Sequence, residues 1–248
     1  MNISVVQETR RGGRPYNQDH LAHWMTPKAL LLAVADGMGG YAGGELAARA
    51  AVASLGDAFR VQAKPVLADP QGFLSGAIAK AHAAVVKEAA KAGLGEEPRT
   101  TLVACVVQQG QAFWTFVGDS RFYLIRDGKI VARTKDHTYV QQLIDAGRMR
   151  EEAAAAHPDR NKLLRCLGGT APPAGEPIAS ARLAKDDILL LCSDGLWGPL
   201  TPRLLVMGLT GKDPRRAVPE LMNLAEAHAG PGCDNLSALA LQWHTENA

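Results

Sequence analysis

Four aspartates in this chain each lie at one end of an apolar run and stand beside a glycine, serine or asparagine. They are Asp36 in VADGMGG, Asp119 in VGDSR, Asp194 in LLLCSDGLW and Asp234 in GCDNLSALALQW. The apolar runs have the length and composition of buried β-strands, and the small polar residues are typical of turns. The pattern therefore favours a fold in which several strand ends carry carboxylates that face a cleft while the strands stay buried.

Taken singly, each Asp-Gly or Asp-Asn pair is weak evidence, because these residues occupy turns for reasons of backbone geometry. Four of them at strand ends are more informative. Burying unpaired carboxylates is costly, so a cluster of them requires a cation or a basic partner. An all-oxygen pocket suits hard divalent cations, and the sequence therefore predicts a metal enzyme.

Composition limits the classes of partner. The formal net charge is +2, which gives no broad electrostatic reason to expect nucleic acid or an acidic membrane as a partner. The cysteines are widely spaced without a CxxC pair, as expected of reduced thiols. The start, MNISVVQETRR, lacks the order of a signal peptide, and the apolar runs are too short to span a membrane. We expect a cytoplasmic protein.

Strand-like segments are predicted at Ile3–Thr9, Leu21–Met25, Leu30–Ala35, Thr101–Gln108, Ala112–Val117, Arg121–Arg126, Lys129–Arg133, Ile188–Cys192 and Asn235–Trp243. Helices are predicted at Gly44–Arg60, Gln71–Ala92 and Pro214–His228. Because Asp127-Gly128 is a hairpin signal and the helices are partly segregated from the strands, an α+β layered domain is favoured over a doubly wound parallel sheet. Residues 137–169 are expected to form a surface excursion of short helices that shapes substrate access, within a single domain over residues 1–248.

The glycine-rich segment after Asp36 admits a second interpretation. Gly37, Gly39 and Ala42 fit a G-x-G-x-x-A dinucleotide pattern, with Asp57 twenty residues on. However, Asp57 falls inside a predicted helix rather than at a strand end. The dinucleotide interpretation also leaves the other three strand-end aspartates without a role, so it is disfavoured.

Near the N-terminus, the segment RPYNQD places Arg14 five residues before Asp19. The guanidinium is a planar fork of donors that matches phosphate oxygens. Taken alone, the segment fits an exposed loop equally well.

Together, these motifs resemble the metal-dependent protein phosphatases of the type-2C (PPM) family in its compact bacterial form. The resemblance covers almost the whole chain through RPYNQD, DGMGG, TTLVACVV, VGDSRFYLIRDGKI, the insertion from DHTYVQQLIDAG to NKLLRCLGG, LLLCSDGLW and CDNLSALAL, in that order.

The resemblance implies a four-layer αββα sandwich with two central antiparallel β-sheets flanked by helices. It also implies two core Mn²⁺ or Mg²⁺ ions at one end of the paired sheets. Asp36 would bridge the two ions and Gly37 would offer its carbonyl to one of them. Asp194 and Asp234 would hold the other ion.

Three further roles follow from the same resemblance. Asp19 would hold a metal-bound water, Asp119 would bind a third, weaker ion, and Arg14 would bind the substrate phosphate. The implied activity is hydrolysis of phosphoserine and phosphothreonine in proteins by a metal-bridging hydroxide, opposing a cognate Ser/Thr kinase. We expect a monomer. The alternative is a catalytically silent relative that binds phosphoproteins.

Two residues depart from the family pattern. Gln18 stands where many members have a glutamate, so a negative charge that would help hold metal-bound water is absent. Met38 stands where animal relatives carry a histidine proposed as general acid, so the leaving oxygen must be protonated in another way. A cysteine phosphatase is excluded, because no cysteine has an arginine six positions later.

Overall fold

Two antiparallel β-sheets form the centre of the computed structural model, which describes residues 1–38, 40–154, 156–174 and 176–244. Gly39 of the DGMGG segment and position 155 of the 137–169 insertion lie outside the described residues. In chain order the strands are β1 (Ile3–Arg10), β2 (Asp19–Met25), β3 (Ala29–Met38), β4 (Arg99–Thr100), β5 (Leu102–Gln108), β6 (Gln111–Val117), β7 (Arg121–Arg126), β8 (Lys129–Arg133), β9 (Ala179–Arg182), β10 (Ile188–Cys192) and β11 (Leu236–Trp243). The helices are α1 (Gly40–Gln62), α2 (Pro70–Lys91), α3 (Tyr139–Asp145), α4 (Glu151–Ala154), α5 (Asp194–Trp197), α6 (Pro202–Leu209) and α7 (Pro214–Ala229).

The strand order is β1-β11-β10-β7-β8 in one sheet and β2-β3-β5-β6-β9 in the other, with β4 paired to β3. Successive side chains of a strand point to opposite faces, so each strand supplies residues to two layers. Leu32 and Leu191 belong to the apolar cluster between the sheets. Leu31 packs with residues of α1 and α2, whereas Leu190 packs with residues of α6 and α7. The predicted α+β class and four-layer αββα sandwich are confirmed.

Burial on both faces explains why the central strands read as unbroken apolar runs. Residues 29–35 of β3 are fully buried. Every residue of β5 and of β10 is buried as well. In a half-exposed sheet these strands would alternate apolar and polar residues.

The predicted hairpin between β7 and β8 is confirmed. The two strands pair antiparallel with Arg126 opposite Lys129. Asp127 and Gly128 form the two-residue turn, with φ values of 49° and 70°. Positive φ at both positions is the requirement of a type I′ turn, which asparagine, aspartate and glycine satisfy best.

Four elements, β4, β9, α5 and α6, were not predicted from the sequence, and β9 and α6 show why. β9 has the sequence ASAR and is largely exposed, so it lacks the apolar alternation that identifies a strand. It is recognised only by its pairing with β6 at the sheet edge. α6 is a short apolar run, and such runs cannot be assigned to helix or strand by periodicity alone. Its start is set by the Thr201 hydroxyl, which accepts a hydrogen bond from the backbone N–H of Leu204.

The insertion at residues 137–169 contains α3 and α4 joined by turns, as predicted for its described residues. Asp57 lies inside α1, as the argument against a dinucleotide site requires. No helix in the described part of the chain is long and apolar enough to cross a membrane.

Candidate active site

The strand ends predicted to carry function meet at one end of the paired sheets, around a cleft of about 440 Å³. The cleft is lined by Arg14, Pro15, Tyr16, Gln18, Asp36, Gly37, Met38, Thr101, Asp119, Asn161, Leu163, Asp194, Asp234 and Asn235. Six of the seven predicted site residues are therefore in its wall. The seventh, Asp19, lies directly beside it.

Asp19 and Asp36 are cross-strand neighbours. β2 and β3 pair antiparallel with these two residues opposite one another. Directly opposed residues in such a pair have Cβ atoms about 4.5–5.5 Å apart and share one face of the sheet. Asp19 is only 5% exposed, and its carboxylate is close enough to Asp36 for the two charges to interact.

The backbone of Asp36 is fixed by two threonines. The Asp36 N–H donates to Thr101 Oγ1 at 2.9 Å, and the Thr101 N–H donates to the Asp36 carbonyl at 2.9 Å. The Thr100 hydroxyl donates to the same carbonyl, also at 2.9 Å. Thr101 Oγ1 lies 2.6 Å from Ser120 Oγ, which extends this network toward Asp119.

Ser193 joins the two sheets beneath the cleft. It directly precedes Asp194, at the end of β10. Its hydroxyl donates to Asp19 Oδ2 at 2.7 Å and accepts from the Ser237 N–H at 2.9 Å. One hydroxyl thereby fixes a carboxylate of one sheet to two strands of the other.

Arg14 contacts one of the predicted metal ligands. Its Nη2 lies 2.6 Å from Asp234 Oδ2, and the arginine side chain is 55% exposed. The predicted phosphate-binding cation and the predicted ligand thus occupy the same edge of the cleft. An ion pair this exposed contributes little to stability, about 0–1 kcal/mol.

Asp119 is held through its backbone carbonyl by an aromatic and ionic cluster. The Trp197 indole donates to the Asp119 carbonyl at 2.9 Å. The Arg121 guanidinium lies 3.4 Å from the centre of the Trp197 ring. Arg121 also makes a two-pronged contact with Asp136, at 2.8 and 2.6 Å.

The carboxylates perturb one another electrostatically. Burial raises the pKa of Asp19 to about 7, the charges of Asp194 and Asp234 add to the rise, and the Ser193 hydrogen bond opposes it. Burial, followed by the charge of Asp234, raises the pKa of Asp194 to about 6. Burial and the neighbouring carboxylates raise the pKa of Asp36 and of Asp119 well above the usual range. Mutual effects of this kind require that the aspartates share one site.

Two buried carboxylate oxygens in this cluster accept no hydrogen bond from any described residue. They are Asp19 Oδ1 and Asp194 Oδ1. Uncompensated buried oxygens are costly, and a cation is the partner that would satisfy them. As they stand, no three described Asp, Glu, His or Cys side chains are close enough together to hold one ion. Asp234 Oδ2 accepts a hydrogen bond from Arg14.

Gly37 is placed where no side chain fits. A Cβ built there would collide with the backbone of Gly44 at the start of α1 and with the carbonyl of Gln18. The backbone of Gly37 therefore lines the cleft directly.

Sequence reasoning missed the residues that support the aspartates, namely Thr100, Thr101, Ser193, Asn235 and Trp197. Three of them could have been found from their closeness in sequence to a candidate ligand. Ser193 and Asn235 directly flank candidate ligands, and Trp197 stands three positions after Asp194. The predicted substrate-facing role of the insertion has one structural correlate, because its residues Asn161 and Leu163 line the cleft.

Comparisons with known proteins agree with this arrangement. Residues 7–229 match the family model described as protein phosphatase 2C. The chain is 34% identical over 212 residues to the serine/threonine protein phosphatase PstP of Mycobacterium tuberculosis H37Rv, a match covering 85% of this chain and 40% of PstP. It is 32% identical over 222 residues to the serine/threonine phosphatase stp of Listeria innocua, covering 87% of this chain and 85% of stp.

A solved structure extends the likeness to the fold. The catalytic domain of PstP in complex with two manganese ions aligns with a TM-score of 0.83 at 28% identity, covering 98% of this chain and 99% of that domain. The chain spans about 40% of the full-length mycobacterial relative. The family match covers well over half of the sequence, and the resemblance predicted from the motifs is confirmed. This chain belongs to the protein phosphatase 2C family.

Proposed function

We propose that this chain hydrolyses phosphoserine and phosphothreonine in proteins with the help of divalent cations. The observation that carries the proposal is the convergence of five aspartates from both sheets on one cleft that also holds an exposed arginine. Membership of the phosphatase family and the manganese-bound PstP structure support it.

The all-oxygen donor set matches the ligand preference of Mn²⁺ and Mg²⁺, and the described side chains would draw closer together to hold two core ions. Asp36, Asp194 and Asp234, with the Gly37 carbonyl, would supply the oxygen ligands that these cations prefer. The unpartnered oxygens of Asp19 and Asp194 support this assignment. Asp119, lying apart on its own turn, is proposed to hold a third, weaker ion. When bound, paired divalent ions supply Lewis acidity and lower the pKa of water.

Asp19 is suited to hold and orient a water molecule. Its Oδ2 is fixed by the Ser193 hydroxyl, while Oδ1 accepts no hydrogen bond from the described residues. The carboxylate is therefore held in one orientation, with one buried oxygen that has no hydrogen-bond partner among the described residues. A water hydrogen-bonded to that oxygen would have a fixed position in the cleft, which lowers the entropic cost of attack on phosphorus.

Arg14 is suited to hold the phosphoryl group. Its guanidinium presents several N–H donors at the cleft edge, and one of them donates a hydrogen bond to Asp234. On substrate binding, the remaining donors would contact phosphoryl oxygens and neutralise their charge. Binding of cations to Asp234 would release the arginine fully for this task.

The leaving serine or threonine oxygen needs a proton. Among the described residues that line the cleft there is no histidine. Met38 lines it at the position where animal relatives carry a histidine. A side chain without a titratable proton cannot act as general acid. We propose that water in the cleft donates this proton.

We further propose that residues 1–248 form a single phosphatase domain, with residues 137–169 as a flap over the cleft. The substrates would be phosphorylated proteins, including targets of a cognate Ser/Thr kinase. A cytoplasmic monomer is the form we expect. The net charge of +2 supports the prediction that nucleic acid is not a partner.

The proposed function is tested by turnover of a phosphoserine peptide with Mn²⁺, with chelator, and with Asp194→Asn. We expect manganese-dependent turnover that chelator abolishes and that Asp194→Asn lowers at least about a hundredfold, the scale of losing an electrostatic contact in a transition state. Asp57→Asn is the matched control, because Asp57 is exposed on α1 and contacts only Arg60 among the described residues. A wild-type chain that binds the peptide without manganese-dependent turnover would instead be a silent phosphoprotein-binding relative.

A further inference from the structure

We infer that Asn235 is a positioning residue that holds the Arg14 loop, defined here as residues 11–18, on the segment that carries Asp234. The inference rests on the phosphate-binding role proposed above for Arg14. It concerns how an arginine on an exposed loop keeps a fixed place in the cleft.

The Asn235 side chain uses its full amide on this loop. Its Nδ2 donates to the carbonyls of Arg11 and Tyr16, both at 2.8 Å. Its Oδ1 accepts from the Gln18 N–H at 2.9 Å. The residue is 6% exposed, so these contacts are shielded from water. Two donors and one acceptor on so short a side chain are available only from asparagine.

The loop also lies directly on the neighbouring backbone. The Gly13 N–H donates to the Cys233 carbonyl at 2.9 Å. Gly12 has a φ of +61°, and a Cβ built on it would collide with the Asp234 carbonyl. A Cβ on Gly13 would collide with the carbonyl of Pro231. Glycine at both positions lets the loop approach this closely.

Arg14 itself has little to restrain it. Its side chain is 55% exposed, and its contact with Asp234 is an exposed ion pair. The place of the guanidinium therefore depends on the backbone of the loop, and three of the loop's hydrogen bonds end on Asn235. A guanidinium that is oriented before the substrate arrives loses less entropy when it binds phosphate.

The main chain of Asn235 makes a further hydrogen bond, separate from those of its side chain. Its backbone N–H donates to Asp234 Oδ1 at 2.8 Å. That hydrogen bond survives any side-chain substitution other than proline. The side chain can therefore be tested for its effect on Arg14 separately from the support that the backbone gives to Asp234.

The experiment measures inhibition by inorganic phosphate, with p-nitrophenyl phosphate as substrate at saturating Mn²⁺. We expect Asn235→Ala to raise both the phosphate inhibition constant and KM about tenfold, equivalent to about 1.4 kcal/mol. The Mn²⁺ concentration for half-maximal activity should change less than about twofold, and kcat should fall less than KM rises. Asn223→Ala is the matched control, because this exposed asparagine contacts Arg10 outside the loop.

A double-mutant cycle decides whether Asn235 acts through Arg14. In the Arg14→Ala background, Asn235→Ala should add no further loss of phosphate affinity. Additive losses, or a shift confined to the Mn²⁺ constant, would overturn the inference while leaving the proposed function intact. Unchanged phosphate affinity in Arg14→Ala alone would refute the role of Arg14, and absence of turnover in the wild type would refute the function. Should Asn235→Ala not fold, Asn235→Asp keeps the size and the acceptor, removes both donors, and carries the same expectation for phosphate.

Discussion

At the scale of single residues, the candidate site depends on small hydroxyl side chains as much as on aspartates. Thr101 and Ser193 are buried, and each contacts the backbone or carboxylate of an aspartate in the cleft. Such residues take no part in chemistry, but they limit the orientations that a carboxylate can adopt. Pre-organised ligands of this kind are a requirement for a metal site with fixed geometry.

The first prediction concerns Thr101→Val. The substitution keeps the side-chain shape but leaves the Asp36 N–H without its acceptor. An unsatisfied buried donor costs about 1–3 kcal/mol, and we expect a loss of unfolding free energy of that size. Chemical denaturation of the chelated protein measures it.

Thr210→Val is the matched control, since its hydroxyl only donates to the Val206 carbonyl on an exposed helix end. It should change stability by less than about 0.5 kcal/mol. Equal stability of wild type and Thr101→Val would show that the Thr101 hydroxyl does not anchor Asp36.

At the scale of elements, α5 and the turn after β6 are joined by the cluster of Arg121, Asp136 and Trp197. Arg121 and Asp136 are 13% and 7% exposed, so this ion pair is far more shielded than that of Arg14. Because Trp197 lies on α5 and contacts the Asp119 backbone, the cluster sets the position of one element relative to another. Asp136 also directly precedes the insertion.

The second prediction concerns Arg121→Lys. Lysine keeps the charge but loses the two-pronged contact with Asp136 and the planar stacking on Trp197. We expect a loss of about 1–3 kcal/mol of unfolding free energy, the cost of a charged hydrogen bond and a cation–π contact. The tryptophan fluorescence, to which Trp197 contributes together with three other tryptophans, should also change. Arg49→Lys, on an exposed helical pair with Glu45, should be nearly neutral; similar losses in both variants would contradict the proposed role of the cluster.

The elements that could be predicted are those with a local signal. Asp36, Asp119 and Asp194 were identified because each follows a buried apolar run, and the β7–β8 hairpin because Asp127-Gly128 suits its turn. The partners of these aspartates could not be predicted. Ser193 bonds Asp19 across 174 positions of sequence, and such a contact depends on strand register and sheet packing. β9 escaped prediction because an exposed edge strand carries no apolar pattern.

At the scale of the whole molecule, one end of a two-sheet sandwich concentrates negative charge. Both sheets contribute to it, so their packing determines the distances between carboxylates. The apolar layer between the sheets, with Leu32 and Leu191 among its residues, stabilises the fold against this repulsion. A cation in the cleft would remove the repulsion and stabilise the folded state by mass action.

The third prediction follows from the raised pKa of Asp19, about 7 in the folded protein. A carboxyl with a raised folded-state pKa stabilises the metal-free protein fully below its unfolded-state pKa, near 4. That contribution is lost as pH rises from about 4 to about 7. The chelated wild type should therefore lose stability over this window relative to Asp19→Asn, which cannot titrate.

The measurement is the Tm of both proteins between pH 5 and pH 8, with chelator and with Mn²⁺. We expect the gap between the chelated proteins to widen by at least roughly 2–4 °C, which is about 1 kcal/mol for a chain of this size. Because cations require deprotonated ligands, the Mn²⁺-induced rise in Tm of the wild type should grow with pH. Parallel Tm curves for the two chelated proteins would mean that Asp19 titrates normally.

The most direct test of the account is anomalous diffraction at the manganese absorption edge from crystals soaked in Mn²⁺. We predict two strong peaks in the cleft, with Asp36 in contact with both ions and Asp194 and Asp234 in contact with one of them. Arg14 should then have moved away from Asp234. Peaks elsewhere on the molecule, with none between these three aspartates, would contradict the shared-cation site on which the proposed phosphatase activity depends.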